Sequence, residues 1–286
     1  MWLWMSVCSA VLLGIYDVVK KQSLKRNGVL YVLLGATALS ALFLCPFLEA
    51  GTPKYHLALI FKAVLVTTSW VSGLLGMKYL PLTTVSTIKA SRPVFVVAFS
   101  IILFGEKLNV WQWAGVVMVI AALYLLSVSS KKEGIHFTSN KGVACMAVSV
   151  LAGAASALYD KHILGNMDME PLFVQSWANV YITALLVICV LVKALIDGPE
   201  KRERFCWDWR LLVIAVFITA SDMLYFFSLK DEGAMLSIIS MLRRCSVVIT
   251  FVLGAILFKE KRIKDKAIDL LVLMAGLTLL LFGSSI

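Results

Sequence analysis

RPVFVVAFSIILFGEKL, Arg92–Leu108, is an apolar run that ends at Phe104 and passes directly into Gly-Glu-Lys. A second version returns as CSVVITFVLGAILFKEKR, Cys245–Arg262. At an offset of 154 residues, Ile102, Leu103, Phe104, Glu106 and Lys107 match Ile256, Leu257, Phe258, Glu260 and Lys261. One chain therefore closes two apolar segments with the same acidic-basic pair. The reason for that repetition governs the fold.

The 286-residue chain is 60% hydrophobic and 15% charged, with a mean hydropathy of +0.90. Soluble domains run at about 45–50% apolar and about 25% charged. A soluble fold of this composition would lack the polar surface to cover its core, so its solvent is largely lipid. The start, MWLWMSVCSAVLLGIY, has neither the charged n-region nor the small-residue cleavage site of a secretory signal, and reads as a retained first helix. The six cysteines are scattered without a CxxC, which leaves no disulfide or metal-site spacing.

Crossing about 30 Å of hydrocarbon at 1.5 Å per residue takes about 20 apolar residues. Runs of that kind between charged breaks predict ten spans, at about 2–19, 29–48, 57–77, 82–104, 110–128, 142–160, 171–192, 211–229, 235–258 and 267–284. Backbone groups in lipid have to be satisfied locally, which makes these spans helices. The expected fold class is an all-α membrane protein of ten transmembrane helices.

Ten divides into five and five. The Ile-Leu-Phe-x-Glu-Lys echo closes helices four and nine, and Gly14-Ile15-Tyr16-Asp17 against Ala157-Leu158-Tyr159-Asp160 closes helices one and six at an offset of 143. The longer connection between helices seven and eight accounts for the change of offset. The chain thus reads as a five-helix repeat over 1–130, a basic loop over 131–141, and a second repeat over 142–286. An odd number of helices per repeat turns the second copy upside down. Charge agrees: alternate loops on one side hold 18 basic residues and those on the other hold four. Positive charge stays cytoplasmic, which puts both termini outside. In this frame Glu106 and Glu260 read as solvated stop signals where helices re-enter water.

Phe104-Gly105-Glu106-Lys107-Leu108 with Gly115 behind it, and Phe258-Lys259-Glu260-Lys261 with Gly276, resemble the drug/metabolite transporter superfamily, specifically its ten-helix EamA-type permeases. Lys259 stands where the family usually has glycine. The outward termini also differ from the cytoplasmic ones generally described for the family. The resemblance implies two five-helix repeats and transport of a small molecule, without defining the cargo.

Charge within the spans is where function is expected. A charge near mid-bilayer costs at least about 2.5–3.5 kcal/mol, so it needs a partner or an aqueous cavity. Lys89 and Arg92 share a face of helix four, and Arg243 and Arg244 lie at comparable depth in helix nine. At the offset of 154, Lys89 aligns with Arg243 and Ser86 with Ser240. Asp222 is the deep acidic residue, with Asp17 and Asp160 at helix ends, so cations exceed carboxylates at depth. These residues predict a midplane site for an anionic group: Lys89 and Arg243 as principal contacts, Arg92, Arg244, Ser86 and Ser240 in support. Asp17, Asp160 and Asp222 are the candidate gates or charge partners, and Pro93, which removes a backbone bond, is the candidate hinge. The plainer alternative is internal ion pairing, Asp222 with an arginine. Trp70, Trp177, Tyr159, Tyr225, Phe226, Gln175 and Asn179 are secondary lining candidates.

The leading expectation is a secondary transporter of small metabolites working by alternating access. Its alternatives are an exporter of amino acids or amphiphilic drugs with structural arginines, a lipid-phosphate flippase, and a non-transporting membrane scaffold. No GxxxxGK[ST] occurs, and the three histidines lack metal-ligand spacing, so neither an enzyme nor a cofactor or metal is expected. The formal net charge of +10 follows topology rather than nucleic acid. Expected partners are membrane lipid and a small-molecule substrate, with the chain a monomer or homodimer in a cell membrane of bacterial cytoplasmic type.

The charge distribution generates a topology prediction. Alkaline phosphatase fused after Ile286 will be active in intact bacteria and green fluorescent protein fused there will be dark; the reverse pair of results overturns outward termini.

Overall fold

A computed structural model describes residues 2–96, 99, 109–131, 135–137, 139–165, 167, 169–197, 205–230, 243, 245–260 and 263–285. These form α1 (Trp2–Ser23), α2 (Val29–Leu44) with a 3-10 turn (Cys45–Phe47), α3 (Pro53–Tyr79), α4 (Leu82–Ala90) and α5 (Val110–Lys131). The second half supplies α6 (Lys141–Gly165), α7 (Pro171–Asp197), α8 (Trp209–Lys230), α9 (Ser246–Phe258) and α10 (Ile263–Ser285). No strand occurs among the described residues. Five of the helices are long and apolar enough to cross a membrane, with spans at Val29–Phe47, Pro53–Tyr79, Val110–Lys131, Lys141–Asp160 and Pro171–Leu195. A further described helix, Ser246–Phe258, is apolar but shorter.

The packing has a two-fold logic. α1 packs on α8 and α9, while α6 packs on α3 and α4. α2 contacts α8 as α7 contacts α3, and α2·α7, α4·α9 and α5·α10 pair with each other. Exchanging each helix of the first half for its counterpart in the second maps every one of these contacts onto another. The α5·α10 pair meets through the two glycines of the repeated pattern. A Cβ on Gly115 would lie 2.7 Å from the carbonyl oxygen of Gly276, and one on Gly276 would lie 3.0 Å from that of Gly115. Backbones that approach so closely replace the hydrophobic drive that lipid removes with van der Waals contact.

Helix four is not the uninterrupted span 82–104 that hydropathy predicts. α4 ends at Ala90, Ser91 forms a turn, and residues 92–96 are helical again. Pro93 supplies the reason: it has no N–H to give the carbonyl four residues back, and its ring crowds that carbonyl. The rest of the sequence run, including Glu106, lies largely outside the described residues, as does most of helix nine before Arg243.

The repeated acidic ending has a structural role that hydropathy did not predict. Glu260 is not a solvated stop signal. Its carboxylate accepts hydrogen bonds from the backbone N–H of Leu82 at 2.6 Å and of Thr83 at 3.1 Å, and from the Thr83 hydroxyl. Leu82 and Thr83 are the first residues of α4, whose own N-cap, Pro81, offers no side-chain acceptor. A helix start leaves unsatisfied N–H groups and a partial positive charge. A carboxylate from the other repeat satisfies both. Buried Lys266 reinforces the contact, donating to the Thr83 hydroxyl at 3.2 Å.

Lys259, one residue earlier, has φ 49° and ψ 47° and ends α9 in the left-handed conformation, its N–H bonded to the carbonyl of Ala255. Glycine is the residue suited to that position, and Gly105 occupies the equivalent place in the first repeat. Two neighbouring substitutions should therefore move stability in opposite directions. Glu260→Ala is expected to destabilise by ~1–3 kcal/mol, since it orphans buried donors. Lys259→Gly is expected to stabilise by ~0.5–1 kcal/mol, by relieving the left-handed backbone. Thermal unfolding of the purified protein followed by tryptophan fluorescence checks both signs.

Candidate functional site

Between the two halves lies a cavity of about 500 Å³ with walls from both repeats. Along α3 its lining runs from Lys62 to Met77, a rise of ~22 Å in a straight helix. Most of the predicted charges meet in it. Asp17, Lys89, Arg92, Asp160, Asp222 and Arg243 all line the cavity. Ser86 does not: it is buried and donates to the carbonyl of Thr83 at 2.8 Å, one turn back in its own helix. Arg244 and Ser240 lie outside the described residues. Among the secondary candidates, Trp70, Tyr225, Gln175 and Asn179 line the cavity. Trp177 instead donates its indole N–H to the carbonyl of Glu49 at 2.8 Å, away from it, and Tyr159 stacks on His162. The Phe226 side chain is outside the described set.

The charges are paired. Lys89 Nζ lies 2.9 Å from Asp17 Oδ1. Arg243 pairs with Asp222, and Lys62 with Asp160. Arg243 also stacks over the Tyr225 ring, 4.3 Å from its centroid. Sequence reasoning anticipated an Asp222–arginine pair as its plainer alternative. It placed Asp17 and Asp160 at helix ends, whereas in the fold both face the cavity. It also left Lys62 without a place, because a lysine five residues into the predicted span 57–77 is equally readable as a snorkelling side chain.

Two cations on the cavity wall lack a carboxylate partner among the described residues. Lys20 Nζ donates to the Tyr16 hydroxyl at 2.7 Å and lies over the rings of Tyr16 and Trp70, at 4.3 and 5.7 Å from their centroids. Arg92 has one long hydrogen bond, Nη2 to Ser69 Oγ at 3.5 Å, and its buried Nε has no acceptor. The wall beneath Arg92 is made of small residues: Ser69 and Ser149 exchange hydroxyl-to-carbonyl bonds at 2.8 and 2.6 Å between α3 and α6. Among the described residues, five cations and three carboxylates line the cavity. Among the described residues no cluster of three or more His, Cys, Asp or Glu could hold a metal ion.

A cavity between two five-helix halves related by a two-fold exchange defines the class: a helical membrane protein of transporter architecture. The EamA-like transporter family model matches residues 1–128 and 140–282, nearly the whole chain in two copies, and the protein belongs to that family. Twenty-eight chains of known structure match it. One, a crystal structure titled only as that of a protein, superposes with a TM-score of 0.62 at 13% identity, over 97% of this chain and 96% of that one. This likeness concerns the fold alone. No curated protein matches the sequence.

Ion pairs in a low-dielectric wall are coupled, so breaking one partner costs more than removing both. Asp222→Asn and Arg243→Gln are each expected to lower the melting temperature, and the double variant by less than the sum of the two. Melting temperatures of the four proteins give the coupling directly; strict additivity would dissolve the pair.

Proposed function

We propose that the protein is a secondary transporter of small metabolites that works by alternating access, with an anionic group of the cargo bound among the cavity cations. The observation that carries this reading is the surplus of positive charge in a cavity shared by both halves. A charge buried without an opposite partner is expensive, and an anionic ligand offsets that expense. In this reading the repeats 1–130 and 142–286 rock against each other around the site, as in other inverted-repeat transporters. Pro93, where helix four is broken, is the hinge.

Asp17 and Asp160 act as exchangeable charge partners: each holds a lysine while the site is empty and can release it when an anion arrives. Transport then runs on exchange or an ion gradient, without catalysis by this chain. The membrane is a bacterial cytoplasmic one, with both termini outside. The pairing of Lys89 with Asp17 and of Arg243 with Asp222 favours one second reading, in which these cations are structural and the cargo is an amino acid or an amphiphile.

Counterflow in proteoliposomes separates the two readings. Anionic metabolites are expected to exchange in the wild type and to lose exchange in Lys89→Gln and Arg243→Gln that still insert. Exchange of cationic or amphiphilic compounds alone, or anion exchange that survives both substitutions, rejects the anion site.

A further inference from the structure

The cations of the cavity are not equivalent, and their differences narrow the cargo. Lys89, Arg243 and Lys62 each hold a carboxylate of the protein. An incoming anion gains from them only by displacing that carboxylate, which then loses its own partner. Arg92 stands apart. No carboxylate pairs with it among the described residues, its single hydrogen bond to Ser69 is at the distance limit, and its Nε is enclosed without an acceptor.

Its position is also shaped. The guanidinium lies flat against Gly153 of α6: a Cβ there would come within 2.4 Å of Arg92 Cζ, 2.5 Å of Nη2 and 2.7 Å of Nε. A Cβ at this position would require the guanidinium to move from where it lies. A second polar side chain on the same cavity is unsatisfied, the amide of Gln175, whose Nε2 and Oε1 are both buried without partners. An unsatisfied buried polar group costs stability unless a ligand completes it. The cavity therefore carries one planar cation on a fitted seat without a directly paired carboxylate among the described residues, and one neutral amide with both functions open.

We propose that Arg92, seated on Gly153, is the anchor of the cargo's anionic group, and that the cargo is an organic monocarboxylate whose neutral polar portion is held by Gln175. This rests on the reading of the protein as an anion transporter and changes which residue carries it. A guanidinium forms a planar fork that matches a carboxylate. A single guanidinium without a carboxylate partner among the described residues balances one negative charge. A phosphomonoester dianion would leave a charge over unless Lys89 or Arg243 gave up its aspartate. Lys20, the other cation without a carboxylate partner among the described residues, has its ammonium held by the Tyr16 hydroxyl and the ring faces of Tyr16 and Trp70.

The test uses purified full-length protein and begins without ligand. Arg92→Gln removes an unpaired buried charge, so its melting temperature should equal or exceed that of the wild type, by ~2–4 °C. Lys89→Gln and Arg243→Gln, which orphan Asp17 and Asp222, should melt lower. An Arg92→Gln protein that melts as low as Lys89→Gln would show that the fold already holds Arg92, and the assignment would fall.

Pyruvate, lactate and benzoate are then compared with glucose 6-phosphate as stabilising ligands. At least one monocarboxylate should stabilise the wild type. Its affinity should drop about tenfold to a hundredfold in Arg92→Gln, the range expected for losing a charge-assisted hydrogen bond, and should also drop in Gly153→Ala, where the new methyl evicts the guanidinium. Stabilisation by glucose 6-phosphate that needs Lys89 and Arg243 but not Arg92 overturns this assignment while leaving the anion reading intact. No stabilisation by any of the four overturns both.

Discussion

Charge inside a hydrocarbon slab has to be matched by opposite charge or by water, and this requirement organises the interior of the protein. Three carboxylates and three cations meet as Asp17–Lys89, Asp160–Lys62 and Asp222–Arg243, all on the wall of one cavity. Two of the pairs lie within a repeat, while Lys62–Asp160 joins the first repeat to the second. The backbone obeys the two-fold exchange of halves, and Asp17 with Asp160 and Lys89 with Arg243 follow it too, but the ion pairing does not. At the repeat offset of 154, Lys62 corresponds to Val216 and Asp222 to Thr68. A symmetric scaffold lets the same framework open on either side.

The halves are also joined away from the cavity charges. Glu260, leaving α9, closes the exposed amides at the start of α4. This is a contact between a carboxylate and a helix terminus, and its strength comes from the unsatisfied donors rather than from a charged partner. Lys62–Asp160 and Glu260–α4 are thus two polar links between the repeats, one near each end of α3's stretch along the cavity.

Small residues decide how closely the helices approach. The Gly115–Gly276 crossing brings α5 and α10 to backbone contact, and the Ser69–Ser149 exchange of hydrogen bonds locks α3 to α6. In lipid, packing of this kind replaces hydrophobic drive. Gly153 serves a different end. It clears the volume that the Arg92 guanidinium fills, so its smallness is tied to the site rather than to helix spacing.

The sequence by itself determined the membrane class, the two repeats and their mutual inversion, because composition, hydropathic length and loop charge are local quantities that lipid reads directly. It also singled out the cavity charges Lys89, Arg92, Asp17, Asp160, Asp222 and Arg243, since ionisable residues inside apolar runs stand out without any fold. Only the tertiary structure decided who pairs with whom. Lys62 finds Asp160 98 residues away, Glu260 finds α4 178 residues away, and Ser86 turns back onto its own helix. Partnership depends on helix rotation and crossing, which a one-dimensional pattern does not contain. That same geometry left Arg92 without a carboxylate partner among the described residues and set Gly153 beneath it, and so distinguished it from Lys89 and Arg243, which the sequence presents alike.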